Sequence, residues 1–363
     1  MDSLLYDIHK SYDDNFKLGP VKIKKLKNPS FNGIKPKFSF LGFPINIPFG
    51  IPAGPLLNSK FIKVAFDFGF PVSVYKTVRT DIFPCHPYPN VVYVNAPKEI
   101  HTQINTRLTT TSIDPKNTSN ISITNSFGVP SKKPKIWQKD VKKAKTYQKP
   151  GQLLVLSFMG TVKKDQTQDE FVKDFAKAAK LAKQTGVKAL EANLSCPNIG
   201  NEGLVCYNLD VTEKICKEIR KVIGKTPLIL KVGYYKNYED IEKIAKIADK
   251  YANAISSINT LQVEVVDKKG RQALPGPQRL RSGVCGTPIK WAGLEMVKKL
   301  NKVRKGKKYE FEIVGVGGVI TTKDYFEYRK AGADIVQSAT GAMWNPLLAH
   351  EIWLASLAKR EKK

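Results

Sequence analysis

Val187-Lys188-Ala189-Leu190-Glu191-Ala192 runs directly into Asn193-Leu194-Ser195-Cys196-Pro197-Asn198. The first half is short and mostly apolar, which reads as a buried strand. In the second half two amides flank a thiol, and a proline fixes the turn between them. Amides at a strand end can read the donors and acceptors of a flat heterocycle, and a thiol held between them can move a proton. The same residues also fit an Asx-type turn around a buried, inert cysteine. What surrounds this unit decides between the two.

Working outward, the same strand-then-helix order recurs. Short apolar runs at Phe49–Ala53, Val72–Val78, Leu153–Phe158, Ala189–Asn193, Leu228–Val232, Ala254–Ile258, Ile313–Val316 and Ile335–Ser338 read as buried parallel strands. Helical spacing follows most of them. Phe171, Phe175, Ala178 and Ala182 share one face, as do Val211, Ile215, Ile219 and Val222. Further helical stretches cover Ser59–Phe68, Tyr238–Tyr251, Ile289–Val303, Thr322–Ala331 and Pro346–Lys359, and glycines 69, 224 and 332 close three helices. Eight strands with intervening helices predict an α/β fold, an eight-stranded (β/α)8 TIM barrel rather than an open sheet. Function then belongs at the carboxyl ends of the strands. Lys76, Ser157, Asn193, Lys231, Asn259, Gly317 and Thr340 all fall at or near such ends.

Two segments exceed a plain strand–helix unit. Residues 80–152, rich in Thr, Asn, Ser and Pro, predict an inserted hairpin or active-site loop; Thr260–Gly286 predicts a lid over the mouth. Residues 1–42 read as an N-terminal extension, with Val21–Lys25 and Lys37–Phe43 pairing as a hairpin that caps the barrel bottom. Residues 43–363 read as the barrel, with the insertion at about 80–150.

Bulk composition narrows the function classes. The 363 residues are 42% hydrophobic, enough for a large core. No apolar run is long enough to span a bilayer and the start is not a secretory signal, so no membrane insertion and a cytoplasmic location are expected. Five cysteines without a C-x-x-C argue against a disulfide framework or a metal site. The formal charge is +28, carried far more by lysine than by arginine. Solvated helix faces account for that pattern, and the summed field attracts anionic small ligands. Nucleic-acid binding is not expected, because no cluster of arginines with aromatics occurs.

Further motifs carry chemistry. Gly315-Val316-Gly317-Gly318-Val319 and Ser338-Ala339-Thr340-Gly341 follow the seventh and eighth strands. Barrels of this type bind phosphate there, on backbone N–H groups at a helix terminus. Lys231 closes an apolar strand and needs a negative partner, unless it reaches solvent; Lys76 has the same two readings. Asn125-Ser126-Phe127-Gly128-Val129 and Asn259-Thr260 add amides near strand ends.

Taken with Ile51-Pro52-Ala53-Gly54 and Tyr75-Lys76-Thr77, the order of these motifs resembles the dihydroorotate dehydrogenases of the FMN-dependent pyrimidine oxidoreductase group, over about Phe43 to Trp344. The resemblance implies non-covalent FMN and the oxidation of dihydroorotate to orotate in pyrimidine biosynthesis. Cys196 would be the base at C5, with hydride transfer from C6 to flavin N5. Cysteine at that position is similar to the soluble class. Lys76, Asn125, Gly128, Val129, Asn193, Asn198, Asn259 and Thr260 would hold the pyrimidine, under a lid at Ile199–Tyr207. Ala53, Gly54, Lys76, Thr77, Ser157, Asn193, Lys231, Gly286, Gly317, Gly318, Ala339 and Thr340 would hold FMN. No metal is implied. A homodimer and an electron-transfer partner subunit are compatible with the class, and fumarate, NAD through an iron–sulfur partner, or another oxidant stay open as acceptor.

Three rivals share features. A dihydrouracil or dihydrothymine dehydrogenase usually has histidine where Asn198 stands. A tRNA dihydrouridine synthase has glycine where Ser195 stands. A non-catalytic flavin-binding barrel would have no use for Cys196 among amides. Phe127 and Thr260, and the lengths of the two insertions, depart from the simplest family pattern.

Overall fold

The structure, a computed structural model, describes residues 3–25, 35–101, 106–111, 118–195 and 203–361. The strands are β1 (Phe38–Phe40), β2 (Phe43–Ile45), β3 (Phe49–Ile51), β4 (Val72–Val78), β5 (Val91–Asn95), β6 (Arg107–Thr110), β7 (Ser122–Asn125), β8 (Leu153–Phe158), β9 (Ala189–Asn193), β10 (Leu228–Val232), β11 (Ala254–Ser257), β12 (Leu261–Val266), β13 (Arg281–Gly286), β14 (Glu312–Val316) and β15 (Ile335–Gln337). The helices are α1 (Tyr12–Leu18), α2 (Ser59–Asp67), α3 (Pro134–Lys145), α4 (Gln168–Lys183), α5 (Leu209–Ile223), α6 (Tyr238–Tyr251), α7 (Lys290–Lys307), α8 (Thr322–Ala331), α9 (Thr340–Trp344) and α10 (Leu348–Glu361).

The eight apolar runs form the barrel. In the order β3, β4, β8, β9, β10, β11, β14, β15 each strand pairs in parallel with the next, and β15 returns to β3. Strands β4, β8, β9 and β10 are buried on both faces, which is why their sequences read as continuous apolar runs. Helices α2 to α8 pack each against the next around the outside, and α10 packs on α8. Local signals start and stop them. Thr167 and Glu170 cap α4 reciprocally, Thr321 and Asp324 do the same for α8, and Gly332 ends α8 in the left-handed region. On α5 the buried stripe ends at Ile223 rather than at Val222. Among the described residues no helix is long and apolar enough to cross a membrane.

The barrel interior is apolar below and polar above. Val72, Leu153, Ala189, Ile229, Ala254 and Ile335 fill the lower part, together with Phe40 and Ile45. Those two residues belong to the hairpin of β1 and β2, which plugs the bottom. A capping hairpin is therefore present, but its partner differs from the expectation. Val21–Lys25 does not pair; Lys22–Lys25 is a turn of 3-10 helix, and the second strand is Phe43–Ile45, beyond residue 42. Alternating Phe40 and Ile45 sides find a closed apolar floor here, whereas lysines 22, 24 and 25 offer none.

The two long insertions fold together. β5, β6 and β7 from the first and β12 and β13 from the second close into a five-stranded barrel over the mouth. Both ends of Thr260–Gly286 are thus built into a sheet, and the segment does not form the free lid expected of it. Pairing across the chain satisfies backbone groups that a loop would leave to solvent. Arg279 ties the insertions further, donating to Pro87 O at 3.0 Å and Ser126 O at 2.7 Å.

Candidate active site

A cavity of about 290 Å³ opens at the carboxyl ends of the barrel strands, beneath the five-stranded barrel. The register brings Asn193, Lys231 and Ser256 side by side on β9, β10 and β11. This polar layer sits above the apolar floor, because alternate residues along each strand face inward.

Ala53, Gly54, Lys76, Thr77, Asn125, Gly128, Val129, Asn193, Lys231, Asn259, Thr260, Gly286, Gly317, Gly318, Ala339 and Thr340 all line this cavity. Ser157 does not. It is fully buried, with its hydroxyl 3.0 Å from Thr77 Oγ1, so it supports the wall from behind. Asn193 Nδ2 donates to the same Thr77 oxygen at 3.2 Å, and Asn193 Oδ1 accepts from Ser195 N at 3.2 Å. Both ends of that amide are therefore fixed. Cys196, Asn198 and residues 199–202 of the Ile199–Tyr207 segment lie outside the described residues. Ser195, next to Cys196, lines the cavity, and Cys206 N donates to Leu194 O at 2.9 Å.

Several lining or supporting residues were not singled out from sequence. Tyr6, Gln262, Arg281, Ser282, Cys285 and Gln337 line the cavity. Buried Arg79 donates to Gly128 O at 3.1 Å and Val129 O at 2.9 Å, holding the turn at its mouth. Its position just past Lys76 and Thr77, at the end of an apolar strand, was a legible signal. Gly128 has a φ of +74°, and a Cβ there would stand 2.5 Å from the His86 ring, so glycine is required. Asn125 Nδ2 donates to Cys285 Sγ at 3.4 Å.

Charge in the cavity is one-sided. Lys76, Lys231 and Arg281 line it, and no Asp or Glu among the described residues does. Burial pulls both lysines down from 10.5 to about 8; Cys85 opposes this at Lys76, and Glu191 opposes it at Lys231. Lys231 Nζ donates to Ile258 O at 2.9 Å and Ser256 Oγ at 3.4 Å. Lys76 Nζ stands 5.2 Å from the centre of the Phe127 ring. Glu191, fully buried below, has its pKa raised by burial, against the pull of Lys231.

Two observations test the fit of a flavin nucleotide. Gln337 is 1% exposed, lines the cavity and has no partner for either amide atom, so an edge carrying both donors and acceptors is missing beside it. Gly317 and Gly318 have φ of +125° and +65°, and a Cβ on Gly318 would approach the Lys290 backbone to 2.8 Å. With Ala339 and Thr340 opposite, this is a side-chain-free cradle suited to an anion. The residues present fit a planar heterocycle joined to a phosphate.

The family model described as dihydroorotate dehydrogenase matches residues 114–356. The dihydroorotate dehydrogenase of Dictyostelium discoideum is 35% identical over 355 residues, covering 95% of each chain. The catalytic subunit of dihydroorotate dehydrogenase B (NAD(+)) from Brachyspira hyodysenteriae is 33% identical over 184 residues, 50% of this chain and 58% of that one. Dihydroorotate dehydrogenase A (fumarate) from Limosilactobacillus reuteri is 31% identical over 188 residues, 51% of this chain and 57% of the relative. Matched along nearly its whole length, and folded as an eight-stranded barrel with the motif residues gathered at one mouth, the chain belongs to the dihydroorotate dehydrogenase family.

Proposed function

We propose that this protein oxidises dihydroorotate to orotate, a step of pyrimidine biosynthesis, using FMN. The family is flavin-dependent as a rule. The observation that carries the reading is the cavity's composition: amides from Asn125, Asn193, Asn259 and Gln337, three basic side chains, and no acid among the described residues. Amides suit the ring's N–H and C=O groups, and the cations suit a carboxylate and a phosphate. Dihydrouracil, which has no carboxylate, would leave a buried cation uncompensated, so the charge balance favours dihydroorotate.

Bound FMN would supply the hydride acceptor for C6 of the substrate. Gly318, Ala339 and Thr340 would receive its phosphate on backbone N–H groups, and Gln337 would pair with its ring. Lys231 would hold the negative charge that gathers on the reduced cofactor. Asn193 and Asn125 would orient the pyrimidine, each pre-positioned by a hydrogen bond to a neighbouring wall residue, Thr77 or Cys285. Cys196 would take the proton from C5, a role supported by its place between Ser195, which lines the cavity, and Asn198. The free thiol pKa is about 8.5, so enclosure beside cationic groups must aid its ionisation near neutrality.

Anaerobic titration tests this. The purified protein should carry a flavin spectrum that bleaches with dihydroorotate and not with dihydrouracil. Recovery of colour on adding fumarate or NAD would then identify the oxidant. A colourless protein that does not take up FMN, or one bleached by dihydrouracil alone, would refute the reading.

A further inference from the structure

The N-terminal segment brings a buried tyrosine to the cavity wall from outside the barrel. Leu4 N and Leu5 N donate to Met343 O at 2.8 and 3.2 Å, anchoring one end of the segment on α9. Asn58 Nδ2 donates to Phe16 O at 2.7 Å and Lys132 pairs with Asp13 at 3.0 Å, anchoring the other. Between these anchors Tyr6 is 2% exposed and lines the cavity. Its ring meets Phe127 edge-on, with centroids 5.6 Å apart, and Tyr12 packs on the same ring at 6.2 Å.

The Tyr6 hydroxyl is buried and has no partner in the protein. A phenol in that state has lost its water without compensation, a cost that a ligand accepting its hydrogen bond would remove. The ligand's chemistry follows from the surroundings. Burial, with Cys85, Tyr12 and Asp7 nearby, raises the Tyr6 pKa far above neutrality, so the group is a neutral donor. Lys76 lies against the same Phe127 ring and has no carboxylate partner among the described residues. A neutral donor and a cation flanking one aromatic ring suit a small anion with two acceptor oxygens.

We propose that Tyr6 is a specificity-determining residue, donating its hydroxyl to the carboxylate of the pyrimidine while Lys76 supplies the opposite charge. This inference rests on the dihydroorotate reading and deepens it: recognition of the acid group is shared with a segment that precedes the barrel. It also gives Phe127 a role, as the platform that seats both groups.

The test is calorimetric titration of the holoprotein with orotate and with its uncharged methyl ester, for the parent and Tyr6→Phe, alongside thermal unfolding without ligand. Tyr6→Phe should weaken orotate by about tenfold to a hundredfold, the range for losing a hydrogen bond to a charged group, and leave the ester within about twofold. Without ligand it should unfold at the same or a higher temperature, because it deletes an unpaired buried hydroxyl. Unchanged orotate affinity, or equal losses for acid and ester, would overturn the assignment. So would a lowered unfolding temperature with the acid-to-ester preference intact, which is the mark of a packing role. A parent that binds FMN but no orotate would instead sink the dihydroorotate reading, and this inference with it.

Discussion

Lys76→Met replaces a buried ammonium with an apolar chain of similar length, and its consequences run in opposite directions for folding and for binding. In the ligand-free protein burial lowers the Lys76 pKa from 10.5 to about 8. That difference corresponds to roughly 3 kcal/mol held against folding while the group is charged. The unfolded chain keeps this lysine protonated up to its ordinary pKa, and the folded chain only up to about 8. Between those values the unfolded state binds more protons, so this group's penalty is complete below pH 8 and fades as the pH rises toward 10.5. Methionine removes the penalty and forfeits the ammonium–Phe127 contact, worth roughly 1 kcal/mol. The net expectation is a variant more stable than the parent by about 2 kcal/mol at pH 7, with the advantage vanishing in alkali. Orotate should bind on the order of 100-fold more weakly, for loss of a buried charge partner. The parent's affinity should fall as the pH passes above about 8, and the variant's should not. Urea unfolding at neutral and alkaline pH, with orotate titrations at each, reads all of this. A variant less stable than the parent at pH 7, or one that keeps the parent's pH-dependent affinity, would refute the reasoning.

Cys196→Ala should stay yellow but reduce its flavin on the order of 100-fold more slowly with dihydroorotate, and Cys196→Ser should be intermediate, in anaerobic stopped flow; a parent-like rate would remove Cys196 as the base. Gly318→Ala would force a Cβ against the Lys290 backbone at a φ of +65°; the flavin-to-protein absorbance ratio should fall, with a stability loss of about 1–3 kcal/mol. Glu312 accepts from Leu41 N through one oxygen, leaves the other without a partner, and has its pKa raised by burial to about 7. Because the folded value exceeds the unfolded one, this group's stabilisation is complete in acid and is lost as the pH rises through about 7. Glu312→Gln should therefore melt above the parent at pH 8 and close to it at pH 5, and equal shifts at both would contradict the assignment.

Much of the cavity wall was legible because its residues are tied to single strand ends. Gly317, Gly318, Ala339 and Thr340 follow β14 and β15 within a few residues, and Lys231 and Asn193 close β10 and β9. A strand end in a parallel barrel points at the mouth wherever the strand lies, so local pattern sufficed. Ser157 exposes the limit of that argument. It too ends a strand, yet its side chain backs Thr77 instead of facing the cavity. Gln337 lacked any local mark, since one glutamine in an apolar strand reads as an interruption until its amide is found buried and unpartnered in the cavity wall.

The sequence alone determined the closed parallel cylinder, the end where the cavity opens and many of the residues that line it, because each rests on short-range periodicity and on the direction of one strand. Only the tertiary structure decided the roof and the reach of the N-terminal segment. The pairing of β6 with β12 joins Leu108 to Val265, and Tyr6 lines the cavity from a segment that precedes every described strand. Such contacts bring together residues far apart in the chain. Their selection depends on which distant surfaces are left unpaired and uncovered once the barrel has formed, and no stretch of neighbouring residues records that.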